Sequence, residues 1–155
     1  MVTIRPAKIK DGKAVAALHL EMMRMHRQFG EMFAINSKSR QIAEDWFTKV
    51  PRRRNNKMWV AEADGKVVGY LWAKLWKRPA IYKEIDWGEI VDLYVSESYR
   101  KQELAKDMVK EAFKWFKEKG VKTVDLYVAS DNAVAQEVWK TFKFKEYFKQ
   151  MYRSL

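Results

Sequence analysis

At 155 residues, 48% of them apolar and 14% aromatic, the chain is long enough to bury a core and too apolar to remain disordered. No apolar run approaches the ~20 residues needed to cross a bilayer, and the lack of any cysteine removes disulfides, thiolate metal sites and a thiol nucleophile together. The formal charge of +11 favours an anionic partner, whether a nucleotide cofactor, nucleic acid or a membrane surface, but a solvated Lys-rich surface accounts for it equally well. Abundant Lys and Glu with only six glycines also suit a hyperthermophile. The opening MVTIRPAKIKDGKAV has an early proline and mixed charges without the apolar stretch of a signal peptide, so the chain reads as cytoplasmic.

In chain order, Val2 to Pro6 reads as a short strand. From about Asp11 to Phe29, Val15, Leu18, Met22, Met25 and Phe29 recur at helical spacing. Ser39 to Lys49 is expected to form a second helix with Ile42 and Trp46 inward, and basic Pro51–Arg54 through Lys57 to form a loop. Met58 to Ala63 and Lys66 to Trp76 flank Asp64-Gly65, a strong hairpin signal. Glu89 to Val95 is a strand rich in β-formers. From about Arg100 to Lys119, Leu104, Met108, Ala112 and Trp115/Phe116 line one helix face, which Gly120 stops. Thr123 to Ala129 reads as a strand, and Asp131 to Thr141 as a helix capped by Ser130 or Asp131. Phe144 to Tyr152 reads as a final strand. The order β, α, α, β, β, β, α, β, α, β predicts an α/β fold with a mixed sheet, because the strand–helix–strand unit demands a parallel pair. No repeat, low-complexity tract or linker divides the chain, so one domain over 1–155 is expected.

The segment Gly88 to Phe113 runs strand, basic turn, helix. A helix start leaves its first N–H groups unpaired and carries partial positive charge, so a phosphate is a natural guest there. Arg100 and Lys101 read either as part of such a site or as exposed loop cations.

These residues resemble the GNAT N-acetyltransferase superfamily. The family pattern E-I-x-x-L-x-V, then x-x-x-Y-R, then R/Q-x-x-G-x-G/A is met by Glu89-Ile90-Val91-Asp92-Leu93-Tyr94-Val95 and by Tyr99-Arg100-Lys101-Gln102-Glu103-Leu104-Ala105. The later pattern N-x-x-A-x-x-x-Y-x-x-x-G-F is met at Asn132, Ala135, Trp139, Lys143 and Phe144, and the T-I-R-P-A opening also matches. The resemblance spans nearly the whole chain. It implies a mixed, mostly antiparallel sheet flanked by helices, and transfer of an acetyl group from acetyl-CoA to an amine by direct attack. Three positions depart from the pattern: Glu103 and Lys143 stand where the family has glycine, and Trp139 where it often has a tyrosine that protonates the leaving thiolate.

The resemblance carries roles to particular residues. Backbone N–H groups of Gln102, Glu103, Leu104, Ala105 and Lys106 would cradle the pyrophosphate, with Arg100 and Lys101 adding charge. The strand edge at Leu93, Tyr94 and Val95 would pair with the pantetheine arm, and the Leu93 N–H would polarise the acetyl carbonyl. Asn132 would bond the CoA arm or, equally, cap its helix. Trp139 would stabilise the thiolate or pack in the core. Glu89 matches the position of a general base in some members, the alternative being a surface carboxylate. Asp92 is the other base, but it lies on the opposite strand face unless a bulge intervenes. A dimer is common in the family. The acceptor would be a small-molecule or peptide amine.

The remaining features read plainly. His19 and His26 lack further ligands and give no metal site. Met22, Met23 and Met25 read as core or acceptor-side packing. Arg52–Arg54 reads as a solvated loop, with no nucleic-acid-binding pattern beside it. Two other functions stay open: a catalytically silent GNAT fold that binds CoA or a protein, and, on charge alone, a nucleic-acid-binding module.

Overall fold

A computed structural model describes residues 1–100 and 103–155. The described residues form five strands and four α-helices in the order β1 (Val2–Pro6), α1 (Gly12–His26), α2 (Ser39–Lys49), β2 (Asn56–Ala63), β3 (Lys66–Lys77), β4 (Asp86–Val95), α3 (Leu104–Glu118), β5 (Thr123–Leu126) and α4 (Ala133–Thr141). The strands lie in chain order in one sheet, antiparallel throughout except for the parallel β4–β5 pair. The strand–helix–strand unit β4–α3–β5 therefore has the expected form. The β2–β3 turn places Asp64 and Gly65 at positive φ, as an Asp-Gly hairpin requires.

Alternation along the strands sends side chains to two cores. On one face, Val15, Leu18 and Met22 of α1 and Ala43 and Phe47 of α2 pack on Val60, Tyr70, Trp72 and Tyr94. On the other, Met108, Val109, Ala112, Trp115 and Phe116 of α3 pack on Trp59, Ala61, Leu71, Ala73 and Ile90. The α3 stripe is the one read from the sequence. An ion-pair network ties the first elements together: Arg5 grips Asp11 through both guanidinium ends at 2.7 and 2.9 Å, and its Nε bonds Glu62 at 3.0 Å.

Several sequence expectations are corrected. Ile42 and Trp46 point outward, 53% and 42% exposed, and α2 buries Ala43 and Phe47 instead. The α1–α2 approach is set at Gly12, where a Cβ would stand 2.7 Å from the Thr48 backbone nitrogen, and that contact turns the Ala43/Phe47 stripe inward. Asn132, not Ser130 or Asp131, caps α4: its Oδ1 accepts from the Ala135 N–H at 3.1 Å. The fifth strand ends at Leu126 rather than Ala129, and residues 144–152 form no strand. Tyr147 reaches β5 by its side chain alone, its hydroxyl donating to Asp125 at 3.2 Å, so there is no backbone ladder. The first helix is shorter than expected because Arg27–Phe29 tightens into a 3₁₀ turn, and the third begins at Leu104 rather than near Arg100, its start set by left-handed Glu103.

Besides Asp64 of the β2–β3 turn, two described residues adopt left-handed backbone without being glycine: Glu103 at φ 58° and Lys143 at φ 69°. They are the two places where the resemblance expects glycine. The backbone has kept the conformation that glycine serves in the pattern while the side chain has changed.

Candidate functional site

β4 carries an extra residue. Leu93 and Asp92 pair with Leu71 and Trp72, but Ile90 pairs with Ala73, so Val91 is bulged. The β4–β5 ladder runs from Trp87 to Ile90 and stops at that bulge. Beyond it, the β4 edge from Val91 to Val95 has no partner strand among the described residues, and its outward amide and carbonyl groups, apart from the Val95 carbonyl, are open to an extended ligand. The bulge also resolves the face problem. Asp92 meets Tyr70 on the α1–α2 side, and Glu89 meets Lys74, which follows Trp72 by one alternation on the same side.

A cavity of about 660 Å³ opens where α3 begins. Val95, Arg100, Glu103, Leu104, Ala105 and Lys106 line it, so most of the residues expected to hold the diphosphate converge. The first helical bond runs from the Asp107 N–H to the Glu103 carbonyl at 3.0 Å. Preceding N–H groups therefore face outward, as at any helix start. The carboxylate of Glu103 pairs with Lys106 at 3.0 Å, and Asp107 pairs with Lys110 at 2.7 Å, so both acids near the groove are partly neutralised. The Lys110 ammonium is held above its ordinary pKa by the bond to Asp107. Phe113 and Phe142 supply an apolar wall.

Arg100 turns back onto the strand. Its Nε donates to the Val95 carbonyl at 3.0 Å and Nη2 to the Tyr94 hydroxyl at 3.3 Å. The Val95 carbonyl is thus occupied, while the Tyr94 ring lies on the opposite face, its hydroxyl donating to Glu21 at 3.4 Å. Burial, more than Glu21, raises the Tyr94 phenol above its usual range against the opposing effect of Arg100. Leu93 faces the α3 side. The side chain of Asn132 is engaged in capping. Trp139 packs at 5.9 and 5.4 Å on Phe142 and Phe144, within the α3-side core. Neither Asn132 nor Trp139 lines the groove. Lys101 and Gln102 lie outside the described residues.

On the α1–α2 face, Glu89 is buried and paired with Lys74 at 2.9 Å. Asp92 receives the Tyr70 hydroxyl at 3.3 Å and stands 3.2 Å from His19 Nδ1, which is itself 3.0 Å from the Tyr70 oxygen. Tyr70 is pushed well above its ordinary pKa, first by burial and then by Asp92, and so remains a donor. His19 belongs to this cluster although nothing in the sequence gave it a role. Its only signal there is a place on the Met22/Met23 side of the first helix. Its partners come from strands far along the chain.

Among curated protein sequences, none matches this chain significantly. The sequence profile of the acetyltransferase (GNAT) family matches residues 14–144. Among solved structures, a tetramutant of the BH1408 protein from Bacillus halodurans superposes with a TM-score of 0.87 at 20% identity, over 99% of each chain. A predicted acetyltransferase from Clostridium acetobutylicum, crystallised with acetyl-CoA, gives 0.77 at 17% identity, over 99% of this chain and 96% of that one. The aminoglycoside N-acetyltransferase AAC(6')-Iy, in complex with CoA, gives 0.76 at 15% identity, over 100% and 95%. At such identities these likenesses establish the fold alone, and it is the one found here. With the family profile covering most of its length, the chain belongs to the GNAT acetyltransferase family.

Proposed function

We propose that the protein transfers an acetyl group from acetyl-CoA to an amine by direct attack. The observation that carries this reading is the free β4 edge beyond the Val91 bulge, lying next to a basic groove at the start of α3. An amide-rich arm fits the first and a diphosphate the second. Acetyl-CoA and CoA in the similar crystal structures support the same ligand here.

In this reading the N–H groups at the start of α3 bind the diphosphate, with Arg100 and Lys106 adding charge and the backbone of Lys101 and Gln102 completing the loop. The Leu93 N–H donates to the acetyl oxygen. The acceptor nitrogen forms the N–C bond, the C–S bond breaks, and one amine proton passes to a carboxylate. The sulfur departs as thiolate and is then protonated. Glu89 takes the amine proton directly or through water. A second reading gives that role to Asp92, because Tyr70 and His19 hold it while Glu89 is already paired with Lys74. Trp139 packs rather than delivers a proton, since indole does not release its N–H in the accessible pH range.

Thermal melting in acetyl-CoA tests the binding. At ~100 times Kd the folded state gains about 2.7 kcal/mol, a rise of roughly 5–10 °C for a chain of this size. No shift at millimolar acetyl-CoA would refute the proposal. Comparing Glu89→Gln with Asp92→Asn assigns the base: the relevant variant loses about 10²–10⁴-fold in kcat and the acidic limb of its pH–rate profile, with acetyl-CoA affinity little changed. If both retain turnover, solvent is the base.

A further inference from the structure

A second cavity, of about 420 Å³, lies on the opposite side of the sheet from the groove at α3. Its walls include Met23, Ile42, Trp46, Phe47 and Trp72, and His19 stands among them. Trp46 meets Trp72 edge to face at 6.1 Å, and Phe47 meets Trp72 at 6.0 Å, which makes an aromatic corner. Ile42 and Trp46 are exposed at its mouth. They are the α2 residues that helical periodicity would have sent inward.

The charge around this cavity is specific. Among the described residues, no carboxylate lines it. Arg53 stacks over the Trp46 ring at 4.4 Å, and Glu44 on the adjoining turn of α2 is held by Arg40 at 3.1 Å. At its polar end, Asp92 stands 3.2 Å from His19 Nδ1. Asp92 only accepts and the Tyr70 hydroxyl already donates to it, so His19 Nδ1 is oriented as a donor to both and Nε2 is its remaining polar atom. Asp92 immediately precedes Leu93, so the polar end of the cavity adjoins the proposed acetyl position.

We propose that the acceptor is a monoamine with an aromatic or branched apolar body. The body seats against Trp46, Trp72 and Ile42, and the single amine is received by His19 with Asp92 behind it. This inference rests on the acetyltransferase reading and supplies its substrate class. One cation finds one counter-charge; a second cation on the same molecule would meet an apolar wall and the guanidinium of Arg53. Polyamines and aminoglycosides are therefore disfavoured, whatever the similar crystal structures accept.

The probes are 2-phenylethylamine, spermidine and the aminoglycoside kanamycin, offered to the full chain. Calorimetric binding is measured without acetyl-CoA, and acetylation is measured with it. 2-Phenylethylamine is expected to bind and to exceed both polycations in kcat/KM by at least about tenfold, the scale of one buried aromatic contact. Trp46→Ala, at a half-exposed position that spares the fold, should weaken 2-phenylethylamine about tenfold and leave the acetyl-CoA melting shift intact. Ile42→Glu should lower activity on 2-phenylethylamine and raise it severalfold on spermidine, by supplying a second counter-charge. Equal or better use of spermidine or kanamycin by the wild type, or 2-phenylethylamine binding indifferent to Trp46→Ala, overturns the proposal. The two readings fail separately: absence of an acetyl-CoA shift with Trp46-dependent amine binding sinks the transferase and keeps the pocket, and the reverse pattern sinks the pocket alone.

Discussion

Glu103 and Lys143 hold left-handed backbone that favours glycine, and this conformation costs a residue with a Cβ about 1–2 kcal/mol. Glycine at the same place gives back about 0.5–1 kcal/mol through the unfolded chain. Lys143→Gly is therefore expected to stabilise the protein by about 0.5–1 kcal/mol in denaturant titrations. Glu103→Gly should do the same and also tighten acetyl-CoA. A carboxylate ~6 Å from a phosphate charge, at an effective dielectric of ~40, costs about 1.4 kcal/mol before screening. Lys106 already offsets part of that repulsion, so the gain in affinity falls between a few-fold and about tenfold. A loss of affinity would mean that the Glu103–Lys106 pair shapes the loop.

The junction of β1, β2 and the first turn before α1 depends on Arg5. Asp11 is 4% exposed, and its carboxyl is held below the usual range, first by hydrogen bonds from Arg5 and despite its burial. A carboxyl depressed in the folded state contributes stability that is complete above the ordinary value near ~4 and lost as pH falls through the lower folded value. Arg5→Ala should cost about 2–3 kcal/mol, below the usual range for a buried pair because Arg5 is partly exposed, and should flatten the acid limb of stability against pH. Urea midpoints between pH 2 and 6 measure both. The elements themselves were largely legible: Ser39–Lys49 and the α3 stripe fall where periodicity puts them. Which α2 face turns inward was not, because 42/46 and 43/47 are adjacent stripes about 100° apart and only the partner helix distinguishes them. The tail misled for a related reason. Tyr147, Phe148 and Tyr152 are β-formers, but a strand exists only where a neighbour's backbone accepts it. In the site, the strand–turn–helix groove was readable as a local pattern. The His19–Asp92 contact joins distant parts of the chain and leaves no local mark.

Charge acts over longer distances than any of these contacts. With +11 on the chain and Arg100, Lys106 and Lys110 at the groove, acetyl-CoA affinity should fall severalfold between ~50 and ~500 mM salt, as the screening length contracts from roughly 14 to 4 Å. Salt-independent affinity would show that backbone dipoles, not side-chain cations, hold the diphosphate. 2-Phenylethylamine binding, with one charge and an apolar body, should change far less over the same range.

The sheet separates the two cavities, one on the α3 side and one between α1 and α2, and they share no lining residue among those described. Such a partition makes the protein evolvable in one half at a time. On the proposed function, drift at positions 42 and 46 would retune which amine is accepted without disturbing the groove across the sheet, so a lineage would change its acceptor while inheriting its acyl carrier intact.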